Sequence, residues 1–258
     1  MFPERRVHSQ LPGWPGRPPA DGDPHGAEHY PSRVTSAAGP PATGGWRDGA
    51  AAYADGFTTE SPALVAARQR ALTSAVAFGT PAPVEPAVGA VLAVLAASLD
   101  ARAVVSIGSG GGVAGLWLLR GMRPDGVLTA LDGDPAELRA ARRAFTDAGV
   151  PNGRTRLIFG TPAEVLPRLS SANYDLVTCS GPPTDYVPHL PGLLGLVRLG
   201  GSLVCHGLLA DGKIADRSAR DPQSVAWREL SRKVREDETL TSAVLPIGAG
   251  LLVATRRS

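Results

Sequence analysis

The sequence predicts a doubly wound α/β domain whose mostly parallel, seven-stranded sheet ends in an antiparallel C-terminal strand. Three observations predict it. From residue 103 onward, short apolar runs alternate with helix-period segments, the pattern of right-handed βαβ units. A glycine-rich turn, SIGSGGG, joins the first apolar run to a helical segment. Two apolar runs around PIGAG close the chain and read as a hairpin.

The elements follow in order. The first 50 residues hold nine Pro and eight Gly and show neither helical nor strand periodicity. Such a stretch has too little apolar surface to offset its chain entropy. Residues 1–55 are therefore expected to be a disordered tail, and residues 56–258 the folded domain. His8, His25 and His29 sit in that tail at irregular spacing, which suits solvated side chains better than a metal site. Ser61 followed by Pro62 is a natural cap and first-turn pair for one helix, and a second begins near Pro86. AVVSI, VLTAL, TRLIF, YDLVTC and GSLVCH then read as strands. VAGLWLLRGM, PAELRAARRAFTDAG, PAEVLPRLS and most of YVPHLPGLLGLVRLG read as the helices between them. A helix near residues 222–238 precedes the hairpin.

Composition narrows the function. The hydrophobic fraction, 43%, is that of a globular core. A formal net charge of +2 gives no strong field for nucleic acid. Cys179 and Cys205 are too few for a disulfide framework and fit a reducing compartment. No run approaches the ~18 apolar residues of a membrane span, and the N-terminus lacks the apolar stretch of a signal peptide. The expectation is a cytoplasmic protein with no membrane or nucleic-acid partner.

Candidate site residues cluster at predicted strand ends, where doubly wound sheets bind ligands. Gly108, Gly110, Gly111 and Gly112 can take positive φ and let a ligand touch the backbone. The helix that follows offers free N–H groups and a positive dipole end. A dinucleotide fingerprint counted from Gly108 needs Gly or Ala where Val113 stands, which disfavours NAD. Asp132 ends the next strand, where a carboxylate can accept from both hydroxyls of an adenosine ribose. Its plainer role, capping the next helix, is better filled by Asp134 before Pro135. His206 stands at a strand's carboxyl end, where a general base is useful; its alternative is a hydrogen bond to a neighbouring loop. In the polar segment 210–222, Asp211, Lys213, Asp216 and Arg217 can either meet a substrate or face solvent.

Together and in this order, SIGSGGG, LTALDGDP, YDLVTCSGPP, RLGGSLVCHGLL and LPIGAGLLVATR resemble the class I S-adenosylmethionine-dependent methyltransferases. Specifically, residues 60–258 are similar to the catechol O-methyltransferase-like family and its actinobacterial members. The resemblance implies the Rossmann-like methyltransferase fold, S-adenosyl-L-methionine as cofactor, and methyl transfer to a hydroxyl of a small-molecule acceptor. It places Gly108, Ser109 and Gly110 beneath the methionine part of the cofactor, with Ala114 at the helix start. Asp132 falls on the ribose, Gly133 beside the adenine, and Val84 over the cofactor from the N-terminal side. Pro162 and Ala163 stand where relatives often carry polar adenine contacts.

Departures from the family pattern matter equally. Ser106 stands where relatives have an acidic residue for the ligand's amino group, leaving unmade one charge-assisted bond of about 1.5–3 kcal/mol. Relatives hold Mg²⁺ with two aspartates and an asparagine; the matching positions here are Ser180, His206 and Gly207. These cannot supply the hard oxygen set that Mg²⁺ requires. The expectation is metal-independent transfer, with Ser180 facing the acceptor and His206 as the candidate base. Cys179 and Cys205, next in line on their strands, then point to the opposite face. Two competing readings are a methyltransferase-fold binding protein that has lost catalysis, and an NAD-dependent oxidoreductase. A homodimer is compatible with such a chain.

Overall fold

The computed structural model describes residues 45–257. Strands β1 (Ala103–Ile107), β2 (Val127–Asp132), β3 (Thr155–Phe159), β4 (Tyr174–Cys179) and β5 (Val197–His206) run parallel. β6 (Leu240–Leu245) and β7 (Leu251–Arg256) form the closing hairpin, and β7 pairs antiparallel with both β5 and β6. The sheet order is β3-β2-β1-β4-β5-β7-β6. The strand order reverses between β1 and β4, so a crevice opens at the carboxyl ends of these two strands.

Helices cover both faces, as the alternating pattern requires. α1 (Gly45–Phe57), α2 (Pro62–Phe78) and α3 (Pro86–Ser98) precede the sheet. α4 (Val113–Gly121), α5 (Pro135–Asp147), α6 (Pro162–Val165), α7 (Pro183–Tyr186), α8 (Leu190–Leu196) and α9 (Pro222–Glu236) connect its strands. On one face Val104, Leu128, Leu176 and Val204 pack under α2 to α5, with Leu92, Trp117 and Leu118 almost wholly buried. On the other, Val105, Val177 and Leu203 meet Leu193, Trp227 and Leu230 of α8 and α9. Each fully buried large apolar side chain contributes about 1.5–3 kcal/mol, so these two layers dominate stability.

Local chemistry starts the helices where the sequence places them. Ser61 accepts from the Leu64 N–H at 3.3 Å. Asp134 accepts from Ala136 at 2.7 Å, and Asp221 from Ser224 at 3.0 Å. Each is followed by proline, and each such cap is worth about 1 kcal/mol. At the amino ends of the strands, the buried Asp175 carboxylate accepts from the N–H groups of Arg102 and Ala103 at 2.7 and 2.9 Å. It also accepts from the Arg198 guanidinium at 2.6 Å. Burial alone would raise its pKa; these bonds outweigh burial and hold it below the usual carboxylate range. This one side chain ties β1, β4 and β5 together at the end opposite the crevice.

Two boundaries differ from the sequence reading. Residues 45–57 are helical, so the composition boundary after residue 55 falls inside α1. Its Ala-rich run is a good helix former, and Asp55 accepts from the Ala87 N–H at 2.8 Å, docking α1 on the start of α3. The earlier part of the tail, with His8, His25 and His29, lies outside the described residues. In YVPHLPGLLGLVRLG the helix stops at Leu196, and Val197 already belongs to β5, paired with Tyr174. β-branched Val197 is buried at a strand start, where packing overrides the helical period.

Candidate active site

A first cleft of about 270 Å³ opens at the carboxyl ends of β1, β2 and β4. Of the residues singled out from sequence, Gly108, Gly110, Asp132, Gly133 and Ser180 line it. Gly108 has φ 78°, and a Cβ there would lie 2.8 Å from the Gly181 nitrogen. Only glycine lets the turn after β1 approach the β4–α7 connection this closely. The turn is also tied to β2. The Ser109 backbone N–H and hydroxyl both donate to Asp132 Oδ2, at 2.7 and 2.9 Å. The Asp134 N–H donates to Oδ1 at 2.9 Å. A carboxylate offers about four lone-pair sites, so this geometry leaves about one for a ribose hydroxyl where two were expected.

Val84, Ser106, Ser109 and Ala114 are buried and do not line the cleft. Ser106 Oγ has no hydrogen-bond partner among the described residues. Pro162 lines the cleft and Ala163 does not.

A second cleft of about 450 Å³ adjoins the first. Pro81, Ser180, Gly181 and Pro182 line both, forming a shared wall. Pro83, Pro183, Glu85, His206, Asp211 and Trp227 line the second. His206 Nε2 lies 2.8 Å from Glu85 Oε2, and Glu85 Oε1 accepts from the Ala249 N–H at 2.9 Å. Burial alone would raise the Glu85 carboxyl, but the bond and charge of His206, with backbone donors, outweigh it and hold the group below its ordinary value. Glu85 was not singled out from the sequence: it stands 121 positions from His206, and no local motif marks it.

Cys179 and Cys205 are register partners on β4 and β5, lie wholly buried in the core layer with Tyr186 and Trp227, and line neither cleft. Burial pushes the Cys179 thiol well up, and the neighbouring Cys205 adds to the shift. Asp185 lines the first cleft and Asp211 the second. Lys213, Asp216 and Arg217 line neither; Asp216 instead accepts from Ser218 within its own turn.

The charges of the first cleft select a ligand. Asp132, Asp134, Glu137 and Asp185 line it, and among the described residues no Lys, Arg or His does. Glu137 is pushed up by burial and by its neighbours Asp132 and Asp134, against a hydrogen bond from the Gly111 backbone. Such a lining attracts a cation and repels a dinucleotide's diphosphate.

A doubly wound sheet closed by an antiparallel strand, with a glycine-rich turn after β1 and a carboxylate at the end of β2, defines a class I methyltransferase architecture. The O-methyltransferase family model matches residues 58–257, and the chain belongs to that family. A Mycobacteroides abscessus protein named as an O-methyltransferase is 45% identical over 204 residues, 79% of this chain and 93% of its own. A Corynebacterium glutamicum crystal structure shares 32% identity with a TM-score of 0.72, covering 82% of this chain and 97% of that one. The O-methyltransferase TomG of Streptomyces achromogenes, involved in tomaymycin synthesis and solved with S-adenosylmethionine, has the same fold. Its TM-score is 0.72 at 23% identity, over 81% of this chain and 96% of that one.

Proposed function

We propose that the chain transfers a methyl group from S-adenosyl-L-methionine to a hydroxyl of a small-molecule acceptor, without a metal ion and with His206 as the base. The observation that carries this reading is the pair of clefts meeting at one wall, acid-lined on one side and bordered by a histidine on the other. When bound, the cofactor supplies a sulfonium methyl: the acceptor oxygen bonds its carbon while the carbon–sulfur bond breaks and leaves its electrons on sulfur. Gly108 and Gly110 would seat the methionine part, Asp132 the ribose, and the carboxylates around them would favour the cofactor's net positive charge. Ser180, facing both clefts, would orient the acceptor hydroxyl. His206 would take its proton as the oxygen attacks. The acid lining and the antiparallel closing strand both speak against a dinucleotide-dependent oxidoreductase.

Metal independence is supported by the strand ends: β4 leads to Ser180, and β5 ends at His206 with Gly207 next, where metal-dependent members of the resembled family carry their ligands. Methyl transfer from labelled cofactor to a panel of phenols is expected to be equal in EDTA and in added Mg²⁺. Activity abolished by EDTA and restored by Mg²⁺ would overturn this part of the reading. For the cofactor, Asp132→Ala is expected to weaken S-adenosylhomocysteine binding at least ~10-fold by calorimetry. It removes both a ribose acceptor and the tie that holds the Ser109 turn. An unchanged dissociation constant would take Asp132 out of the site.

No helix among the described residues is long and apolar enough to cross a membrane. The near-neutral net charge supports a small-molecule partner over nucleic acid, and the free cysteines Cys179 and Cys205 support a reducing, cytoplasmic setting. Exposed Tyr53, Phe57, Val76 and Phe78 on α1 and α2 support self-association as a homodimer.

A further inference from the structure

We propose that Glu85 is a positioning residue that fixes the tautomer of His206, holding the hydrogen on Nε2 and leaving the Nδ1 lone pair as the proton acceptor. The inference rests on the reading of His206 as the base and adds how that base is prepared. An ionised carboxylate can only accept hydrogen bonds, so the ring nitrogen 2.8 Å from Glu85 Oε2 must carry hydrogen. In neutral imidazole the other nitrogen is then the acceptor.

Three further observations show that Glu85 is held for this contact. Its second oxygen is anchored by the Ala249 N–H at 2.9 Å. Gly248 presses against the carboxyl: a Cβ there would lie 2.5 Å from Glu85 Cδ, so the turn between β6 and β7 is shaped around this group. Glu85 also occupies the N-cap position of α3, yet its side chain makes no capping bond. Ser, Thr, Asp or Asn would serve that helix end better, and the side chain is turned instead toward β5 and the hairpin. Once the acceptor proton reaches Nδ1, the fixed carboxylate faces an imidazolium and stabilises it. The proton leaves to solvent after turnover and the ring returns to the same tautomer.

The test reads the tautomer directly. In full-length protein labelled with ¹⁵N-histidine, in alkaline buffer where the ring is neutral, long-range ¹H–¹⁵N spectra report which nitrogen is protonated. The His206 signal is identified by its loss in His206→Ala. The wild type is expected to show hydrogen on Nε2, and Glu85→Gln, whose amide N–H₂ faces the ring while its oxygen keeps the Ala249 N–H, hydrogen moved largely to Nδ1. In the same Glu85→Gln protein, kcat for the fastest phenol of the panel is expected to fall at least ~10-fold. KM and the S-adenosylhomocysteine dissociation constant should stay within about twofold, since the isosteric amide still accepts from Ala249. Hydrogen on Nδ1 in the wild type, or an unchanged tautomer and kcat in Glu85→Gln, overturns the proposal. Because the spectra need neither acceptor nor turnover, they judge Glu85 separately from the base role, which the kinetics of His206→Ala judge.

Discussion

His206→Ala is expected to lower kcat by about 100- to 10,000-fold, the range over which a positioned general base acts. His206 borders only the second cleft, so S-adenosylhomocysteine binding should stay within about twofold. The loss should shrink as pH rises. A phenol, with a pKa of about 10, ionises without help in alkaline solution, and the variant then needs no base. Wild-type rates gain little from the same change, because the ring already removes the proton. The measurement is kcat against pH for both proteins with one phenol. A variant that keeps its rate at neutral pH, or whose deficit does not narrow in alkali, would remove His206 from the chemistry and leave it as a tie between β5 and the loop before α3.

Gly108→Ala is expected to abolish most cofactor binding, by about 100-fold or more, and to lower the melting temperature by several degrees. The residue sits at φ 78°, where a Cβ costs about 1–2 kcal/mol on its own. The added methyl would also lie 2.8 Å from the Gly181 nitrogen and 3.2 Å from the Ser180 carbonyl carbon. Both neighbours are backbone, so neither can rotate away. Relief requires the turn after β1 to part from the β4–α7 connection, which carries the wall shared by both clefts. Gly110→Ala is the control: its φ is also positive, at 49°, but nothing lies within 4 Å of its Cβ. It should bind closer to wild type. Equal, undiminished binding in both variants would show that the glycine-rich turn does not seat the cofactor.

The sequence revealed most where signals are local. The caps at Ser61 and Asp134 combine a side-chain acceptor with a following proline, and both form as read. The strand–turn–helix around Gly108 and the closing hairpin are likewise short-range patterns. What stayed hidden depends on contacts between distant segments. Glu85 reads as an indifferent residue between two prolines until the fold brings His206 and Ala249 to its two oxygens. Ser109 reads as a cleft residue, yet its hydroxyl is spent on Asp132 and the side chain is buried. α1 was obscured because nearby prolines and glycines dominate the composition of that region, although its own core is rich in alanine.

Four prolines, Pro81, Pro83, Pro182 and Pro183, stand around the second cleft. Each ring fixes its own φ near −65° and narrows the choices of the residue before it. The loops carrying them have few conformations to lose, in the unfolded chain and in the empty enzyme alike. An acceptor entering here therefore meets a surface whose ordering cost was met during folding, and more of its contact energy is kept as affinity. The same stiffness limits how far the walls can reshape around a bulkier guest. On the proposed reading, selectivity then rests on the part of the outline that the prolines set, while Gly79, Gly181 and Gly207 supply the freedom these walls keep.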